Sequence, residues 1–404
     1  MGKQRVLFFL ITLFVVAVLA VFVSVYARGY RFSLDELKFL PNGLFVIKSV
    51  PDGAQLVING NLISATNTTL DLKPGTYDVT VRKDNFIDWK KRLVIDKEVV
   101  TEVTVHLFRS TPSLSSVTFS GSLNPVPSYD LSKIAFIVPS DPNSGIADKE
   151  GLWVIEAVNL PIGFAQDPKR ITDGNLLEAD LIWSPDGREI LFETSTGSYL
   201  IDTGTFTPQS QRVNIRQSRS EILAKWEQVR LKEHNSQLRK LPEELSEILS
   251  SRSSSFLFSP DEDMVLYTAS ASAVVPKGLK NELPGASTQK EDRELKEGSI
   301  YVYDIEEDRN FLIDSTPSDL VLGGEVIDNP KRRLSWFATS RHLVLAEKDK
   351  VTIMDYDATN RQVVYSGSYV TPHAFPTLSI DRLLILTNLG ANSSLPNLYS
   401  LSLK

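Results

Sequence analysis

The chain has no cysteine among its 404 residues, and histidine and methionine are scarce at four and three copies. The absence of cysteine excludes disulfide bonds and thiolate metal sites. Positive charge is also in deficit, because 43 Lys and Arg against 50 Asp and Glu leave a net charge of −7. A dedicated nucleic-acid binder is expected to carry a basic face, so we expect no nucleic-acid partner.

The common sequence signatures of catalysis are missing as well. The sequence contains no H-E-x-x-H zinc pair, no G-x-S-x-G nucleophile turn and no glycine-rich phosphate loop. Its histidines, at positions 106, 234, 342 and 373, fall in unrelated segments. We therefore expect no catalytic residue, no cofactor and no metal ligand.

Two short acidic runs are the remaining candidates for cation binding, Asp261-Glu262-Asp263 and Glu306-Glu307-Asp308. Both flank predicted strand ends, where solvated turns are the simplest interpretation. A calcium site is the alternative, although neither run has the spacing of a known calcium loop.

One long apolar run, Val6 to Tyr26, contains no charged residue. At 1.5 Å per residue, about 21 helical residues span about 31 Å, which matches the hydrocarbon core of a bilayer. We predict an uncleaved anchor, with residues 1–28 as tail and transmembrane helix and residues 29–42 as a juxtamembrane linker. A signal peptide cleaved after Ala27 is the alternative, but secretory apolar regions are usually shorter, at about 7–15 residues.

From Gly43 the pattern changes to short alternating strands separated by turns. Asn59-Gly60 between two apolar runs is a strong hairpin signal, and Lys73-Pro74-Gly75 marks a further turn. The pattern predicts a small β-sandwich or half-barrel over residues 43–110.

This segment resembles the PEGA domain family, named for a Pro-Glu-Gly-Ala turn. The turn residues that carry the resemblance are Pro51, Asp52, Gly53, Ala54, Asn59, Gly60, Pro74 and Gly75, with Asp52 in place of the family's Glu. The resemblance implies a non-catalytic module of bacterial or archaeal surface proteins that mediates envelope attachment or protein contacts. The glycines are best explained by backbone geometry. Trp89 is expected to pack over the sheet, with an exposed sugar-stacking role as the alternative.

A recurring phrase follows residue 111, in which an apolar strand meets a Ser-Pro-Asp-Gly turn and a second apolar strand returns. The clearest copies consist of Trp183, Ser184, Pro185, Asp186 and Gly187, and of Ser259, Pro260 and Asp261. Three weaker copies bring the count to five, with a sixth possible if Pro112–Phe119 or the stretch around Leu320–Val326 contributes strands. Such repetition predicts a β-propeller over residues 111–404.

The phrase is similar to that of TolB-type and WD-like propellers, which implies a divergent member of that architecture. Helical spacing predicts an insertion at about 218–250, with Ser218 and Glu221 spaced as a capping box. We expect this insertion to pack on the propeller, and a partner-docking hairpin is the alternative. Residues 275–298 are predicted to form a mobile loop.

The fold class expected is therefore an all-β ectodomain: a transmembrane helix, a small PEGA-like β-sandwich and a divergent β-propeller with a helical insertion. Charges flank the apolar run on both sides, so a cytoplasmic N-terminus is inferred from the exported character of the modules. We expect a single-pass envelope protein that binds the bilayer through Val6–Tyr26 and binds a protein, peptide or glycan through its β modules. The alternative functions are an envelope lyase or hydrolase with carboxylates in the central channel, and a sensor, for which the five-residue tail offers no output domain.

Overall fold

The computed structural model describes residues 2–27, 30–33, 38–140, 149–157, 167–280, 288–316, 319–324, 330–391 and 394–404. Its first element is helix α1 (Gly2–Ala27). Within α1, Arg5–Ser24 is long and apolar enough to cross a membrane, and α1 is the only such helix in the described part of the chain. By length and composition α1 can therefore span a bilayer. Signal sequences have the same length and composition.

The chain divides into two compact units, Met1–Leu107 with Leu283–Gln289, and Phe108–Glu282 with Lys290–Lys404. The strands of the first unit are β1 (Tyr30–Ser33), β2 (Lys38–Pro41), β3 (Gly43–Val50), β4 (Gln55–Ile58), β5 (Asn61–Ala65), β6 (Thr68–Leu72), β7 (Gly75–Arg82), β8 (Trp89–Ile95) and β9 (Val100–His106). Strands β1 and β2 form a hairpin, and the others form two sheets with the orders β6-β3-β9 and β5-β4-β7-β8.

Alternation along these strands builds one core between the two sheets. Phe45 and Ile47 of β3 are fully buried, and they pack in one cluster with Leu56, Val81 and Leu93. Trp89 joins the same cluster and is only 4% exposed, so its expected packing role is confirmed and a sugar-stacking surface is excluded.

The second unit begins with β10 (Ser113–Ser116) and contains five sheets that follow one another along the chain. Sheet 1 consists of β11 (Leu123–Pro127), β12 (Lys133–Val138), β13 (Gly151–Glu156) and β14 (Lys169–Asp173), and sheet 2 of β15 (Asp180–Trp183), β16 (Glu189–Thr194) and β17 (Gly197–Asp202). Sheet 3 consists of β18 (Ser253–Phe258), β19 (Met264–Ala269), β22 (Ile300–Asp304) and β23 (Arg309–Asp314), next to the short pair β20 (Ala273–Val274) and β21 (Glu294–Leu295).

Sheet 4 consists of β24 (Leu320–Leu322), β25 (Arg332–Trp336), β26 (His342–Glu347), β27 (Lys350–Asp355) and β28 (Gln362–Ser366). Sheet 5 has β29 (Ala374–Pro376), β30 (Arg382–Thr387) and β31 (Asn397–Ser402), and its outer position is filled by β10. The first and last strands of the unit are thus paired, with Leu114 opposite Leu401. Small consecutive sheets closed in this way form a divergent β-propeller, as predicted.

Apolar clusters join most neighbouring sheets. One cluster contains Ala135 of sheet 1 and Phe192 of sheet 2, and another contains Leu266 of sheet 3 and Leu345 of sheet 4. Further clusters join sheet 4 to sheet 5 and sheet 5 back to sheet 1. Burial between sheets therefore stabilises the unit in the way that a continuous core stabilises other repeat folds.

The two segments considered for a sixth blade do not form one among the described residues. Ser113–Ser116 completes sheet 5, and Leu320–Leu322 adds a parallel strand beside β25 in sheet 4. Gly324 follows that strand, and a Cβ atom at this position would lie 3.5 Å from the carbonyl oxygen of Ser128, directly after β11. The extra strand therefore occupies space next to the inner strands of other sheets.

Two helices lie between sheets 2 and 3 in the sequence, α2 (Arg219–Leu238) and α3 (Glu243–Arg252). The predicted capping box is wrong, because Ser218 has helical dihedral angles and its side chain caps no backbone N–H. Helix α3 is anchored by Leu245 and Leu249, which are 0% and 1% exposed, whereas α2 buries only Leu238.

Residues 281–287 of the predicted mobile loop lie outside the described residues. On either side of them, β20 pairs with β21, and the Val275 N–H donates to the Arg293 carbonyl oxygen at 2.9 Å. The described flanks of this segment are therefore paired backbone.

Candidate functional site

The PEGA-type turn residues lie in separate turns and have structural roles. Asn59 and Gly60, with φ of 49° and 81°, form the two-residue turn between β4 and β5. Ala54 is fully buried, and its N–H donates to the hydroxyl of Thr66 at 2.9 Å. These residues shape the sandwich, and they do not converge on one pocket.

The remaining PEGA-type residues are equally structural. Pro51, Asp52 and Gly53 connect β3 to β4, where Gly53 has a φ of +66°. Pro74 and Gly75 stand at the start of β7, where they are exposed.

The Ser-Pro-Asp-Gly phrases form a repeated turn between the first and second antiparallel strands of each sheet. We call residues 128–133, 184–189, 259–264, 337–342 and 377–382 the repeat turns. In the complete copy, the Ser184 hydroxyl donates to the Asp186 carboxylate at 2.7 Å and accepts from the Glu189 N–H at 2.9 Å. Ser259 makes the same two contacts, at 2.6 Å to Asp261 and 3.1 Å from the Met264 N–H.

The fourth position of the repeat turn is left-handed in four copies, although only one of them has glycine there. Gly187 has a φ of 64°, and the equivalent Leu131, Glu262 and Ser340 have φ values of 57°, 62° and 58°. The turn therefore has the same backbone shape in three copies that lack glycine, the residue that adopts this shape most easily.

Two tryptophans at the strand end before the turn connect neighbouring sheets. The indole N–H of Trp183 donates to the Val126 carbonyl oxygen in sheet 1, and that of Trp336 donates to the Leu257 carbonyl oxygen in sheet 3, both at 2.9 Å. Phe258 holds this position in sheet 3 and cannot donate such a bond.

Helix α2 contacts sheets 2 and 3 and also the repeat turn of sheet 1, where the Arg230 guanidinium lies 4.9 Å from the centre of the Tyr129 ring. Arg219 pairs with Glu193 of sheet 2, and the ring of His234 lies 4.7 Å from that of Phe256 in sheet 3. At its far end Lys240, just after α2, pairs with Glu262 in the repeat turn of sheet 3. The helical insertion thus packs on the propeller, as expected, through contacts that are mainly polar.

The two predicted acidic runs come together at one end of sheet 3. Met264 and Asp304 are paired across β19 and β22, and the Ile305 N–H donates to the Asp263 carbonyl oxygen at 2.9 Å. The repeat turn of sheet 4 also reaches this place, because the Ser340 hydroxyl accepts from the Asp261 N–H at 3.1 Å. We call Asp261, Asp263, Asp304, Glu306 and Arg341 the acidic junction.

Arg341 is the one basic member of the acidic junction. Its guanidinium lies 3.7 Å from Oδ2 of Asp304 and 3.8 Å from Oε2 of Glu306. The four carboxyl groups of the acidic junction thus outnumber its one guanidinium, and Lys280 is a further cation that acts on Asp263.

Asp304 is the buried member of the acidic junction. Its side chain is fully buried, Oδ1 accepts from the N–H groups of Glu306 and Glu307 at 2.9 Å, and Oδ2 has no hydrogen-bond donor. Burial, reinforced by the negative charge of Glu307, raises the pKa of Asp304 to about 7.

Asp263 shows the same shortage of positive charge. Partial burial raises its pKa, the negative charges of Asp261 and Glu306 add to the effect, and the positive charges of Arg341 and Lys280 offset it only in part. A carboxyl group with nearby cations to spare would have a lowered pKa instead. The acidic junction would therefore be stabilised by an additional cationic group.

The third residue of the second acidic run has another function. Asp308 is fully buried, its carboxylate accepts from the Tyr303 hydroxyl at 2.6 Å, and it also accepts from the Gly278 N–H at 2.8 Å. Arg293 lies 3.3 Å from the same carboxylate. The prediction of a solvated turn is thus wrong for Asp308, because the neighbouring strand and loop cover it.

Metal binding has little support from the described residues, where no group of three or more His, Cys, Asp or Glu side chains is arranged to hold a metal ion. The alternative of an enzyme called for carboxylates in the central channel. The first antiparallel strands of the five sheets are β11, β15, β18, β25 and β29. Among their described residues they contain one carboxylate, Asp180 at the start of β15.

Comparison with known proteins identifies the first of the two modules. Residues 42–111 match the family model of the PEGA domain, which confirms that the sandwich is of the PEGA type. No curated protein sequence matches the chain.

Among solved structures, a putative TolB from Agrobacterium tumefaciens is similar, with 10% identity, coverage of 70% of this chain and 78% of that chain, and a TM-score of 0.22. A β-propeller domain from Myceliophteria thermophila has 14% identity, coverage of 72% and 73%, and a TM-score of 0.18. An oligogalacturonate lyase in complex with manganese has 13% identity, coverage of 84% and 81%, and a TM-score of 0.22. At such TM-scores the likeness carries no information about activity, and the propeller is defined by its own sheet order.

The sequence reveals part of the acidic junction but not its centre. Both acidic runs are visible in the sequence, whereas Asp304 reads as an ordinary strand end and Arg341 lies in a repeat copy without Pro or Gly. Alignment of the repeats could have identified Arg341, because it places Arg341 one position after the left-handed residue, as Arg188 follows Gly187. No comparable signal identifies Asp304.

Proposed function

We propose that this chain is a membrane-anchored, extracytoplasmic interaction or scaffold protein of the cell envelope, which binds a protein or peptide partner through its propeller. The observation that supports the proposal best is the acidic junction, where Asp263 and Asp304 are desolvated carboxyl groups with raised pKa values. A lysine or arginine side chain from a partner would supply the missing positive charge.

The module order also favours this function. An apolar N-terminal helix followed by a PEGA-type sandwich suits a protein that is held at a membrane with its domains outside the cytoplasm. In this arrangement the N-terminus of α1 is cytoplasmic, and the helix remains attached as an anchor.

A binding titration tests the proposal. The full chain in lipid nanodiscs is titrated with a lysine-rich peptide and with a glutamate-rich peptide of equal length, at low and at physiological salt. The lysine-rich peptide is expected to bind, more tightly at low salt, and the double variant Asp263→Asn/Glu306→Gln should weaken its binding about tenfold.

The matched control is Glu178→Gln/Asp180→Asn, which removes two exposed carboxylates in and just before the start of β15. This variant should bind as the parent does. Equal weakening by both double variants would show that only net charge matters, and the proposal of a specific site would be abandoned.

The alternative function, an envelope lyase or hydrolase, is separated from binding by a turnover assay. The full chain is incubated with envelope polysaccharides and peptides, and the mixture is analysed for small products. Product release that the parent chain supports and Asp180→Asn abolishes would favour the enzyme.

A further inference from the structure

The two sheets of the first unit have four edge strands among the described residues: β5, β6, β8 and β9. Three of them contain charged residues, namely Asp71 in β6, Lys90, Lys91 and Arg92 in β8, and Glu102 in β9. Strand β5 contains none, and the uncharged stretch around it extends from Gly53 to Leu70.

Strand β5 also exposes apolar side chains beside the edge that no strand among the described residues covers. Leu62 is 60% exposed and Ile63 is 50% exposed. Proteins usually protect an edge with charge, proline, a bulge or a covering segment, and β5 has only a bulge, between its pairs to Leu56 and Val57. Strand β8 of the same sheet is charged and is contacted by the Thr288 N–H, which donates to the Arg92 carbonyl oxygen at 3.3 Å.

We infer that β5 is a self-association edge, and that it pairs antiparallel with β5 of a second copy of this chain across a two-fold axis. A two-fold axis places identical residues near one another, so a self-pairing strand must avoid charge. Strand β5 meets this requirement, whereas two copies of β8 would bring Lys90, Lys91 and Arg92 against their equivalents. A second copy is therefore the occupant that the charge distribution favours.

The size of the edge determines where pairing occurs. Five residues bury much less than the roughly 1,200 Å² of a stable interface, so pairing should be weak between freely diffusing chains. Copies held by α1 in one bilayer have a raised effective concentration, which compensates for a small contact. The inference depends on the anchor of the proposed function, and it is independent of the acidic junction.

Cysteine scanning tests the inference directly, because the chain has no native cysteine. Single variants Asn61→Cys, Leu62→Cys, Ile63→Cys, Ser64→Cys and Ala65→Cys are made in the full chain and reconstituted in lipid vesicles. Mild oxidation should give a disulfide-linked dimer at one or two adjacent positions, at least about fivefold above the control Lys90→Cys.

A charge variant provides the second arm. Leu62→Lys, combined with the most reactive cysteine at another position, places like charges across the axis and should lower the dimer fraction about tenfold. The matched control Lys90→Glu should leave the dimer unchanged, and both variants should keep the circular dichroism spectrum of the parent.

Three results would overturn the inference: cross-linking no stronger in β5 than at position 90, cross-linking that survives Leu62→Lys, or cross-linking equal along all of β5. If peptide binding at the acidic junction fails while β5 still cross-links, the proposed function is wrong and the inference stands. If the lysine-rich peptide binds at the acidic junction while β5 does not cross-link above the level at position 90, the inference is wrong and the proposed function stands.

Discussion

The indole N–H of Trp183 donates to the carbonyl oxygen of Val126 across the boundary between sheets 1 and 2, at 2.9 Å. Trp336 repeats this bond to Leu257 between sheets 4 and 3. Removing the donor leaves a partly buried carbonyl oxygen without this partner, so Trp183→Phe and Trp336→Phe should each lower the free energy of unfolding by about 1 kcal/mol.

The control for these variants is Trp226→Phe, since Trp226 is half-buried on α2. Urea denaturation of all three variants, followed by circular dichroism, measures the difference. Equal losses at all three positions would mean that ring volume, and not the hydrogen bond, accounts for the effect.

Substitutions at the left-handed position of the repeat turn should change the free energy of unfolding in opposite directions in two copies. Leu131 adopts a φ of 57° that suits glycine better, and Leu131→Gly should raise the free energy of unfolding by up to about 1 kcal/mol. Gly187→Ala places a side chain at a φ of 64° and should lower it by about 1 kcal/mol. Thermal melting of both variants should show shifts of opposite direction, and shifts of one sign would contradict the shared role of the two positions.

Much of the fold could be predicted from such local patterns. The alternation of β3, the Asn59-Gly60 turn and the phrase at Trp183–Gly187 are local signals, and the structure has a strand, a two-residue turn and a repeat turn in those places. The sheet that Leu320–Leu322 joins could not be predicted, because a short apolar strand has the same sequence pattern whether it starts a sheet or extends one.

The acidic junction could not be predicted from the sequence for a related reason. Sequence shows charges but not their desolvation, and Asp304 is buried only because β22 pairs with β19 next to the turn of sheet 4. The capping box at Ser218 failed likewise, because spacing indicates that a cap is possible but does not fix the dihedral angles of the first residue.

Helices α2 and α3 should differ sharply in their contribution to stability. Leu245 of α3 is fully buried, so Leu245→Ala should lower the free energy of unfolding by about 2–4 kcal/mol. Val229 of α2 is 40% exposed, so Val229→Ala should change the free energy of unfolding by less than about 0.5 kcal/mol. Denaturation midpoints of the two variants check this contrast. A large loss at Val229 would show that α2 is buried against a surface that these contacts do not reveal.

The state of α1 can be determined by mass and by topology. If α1 remains as an anchor, the mature chain has the full-length mass, stays in the membrane after carbonate extraction and becomes soluble when residues 2–27 are deleted. Protease added to the extracytoplasmic side should then digest the propeller. A mature chain that begins at position 28 would identify α1 as a signal peptide, and a propeller protected from that protease would reverse the orientation.

The buried carboxyl of Asp304 should make stability depend on pH. Its pKa in the folded chain is raised to about 7 from an ordinary value of 3.8. The unfolded chain therefore loses this proton first, so the contribution of Asp304 is fully present below about pH 4 and is lost as the pH rises to about 7 and above. The loss is on the order of 4 kcal/mol.

Asp304→Asn keeps an oxygen for the N–H groups of Glu306 and Glu307 and cannot ionise, so it should remove this fall in stability between pH 4 and pH 8. Asp186→Asn is the control of opposite sign, because the Ser184 hydroxyl lowers the pKa of Asp186 and its contribution is lost as the pH falls. Urea midpoints from pH 8 down to about pH 2 measure both effects, because the contribution of Asp186 is lost only below about pH 4, its ordinary pKa being 3.8. If Asp304→Asn leaves the pH profile unchanged, Arg341 must compensate the carboxylate fully, and the shortage of positive charge that supports peptide binding at the acidic junction would not exist.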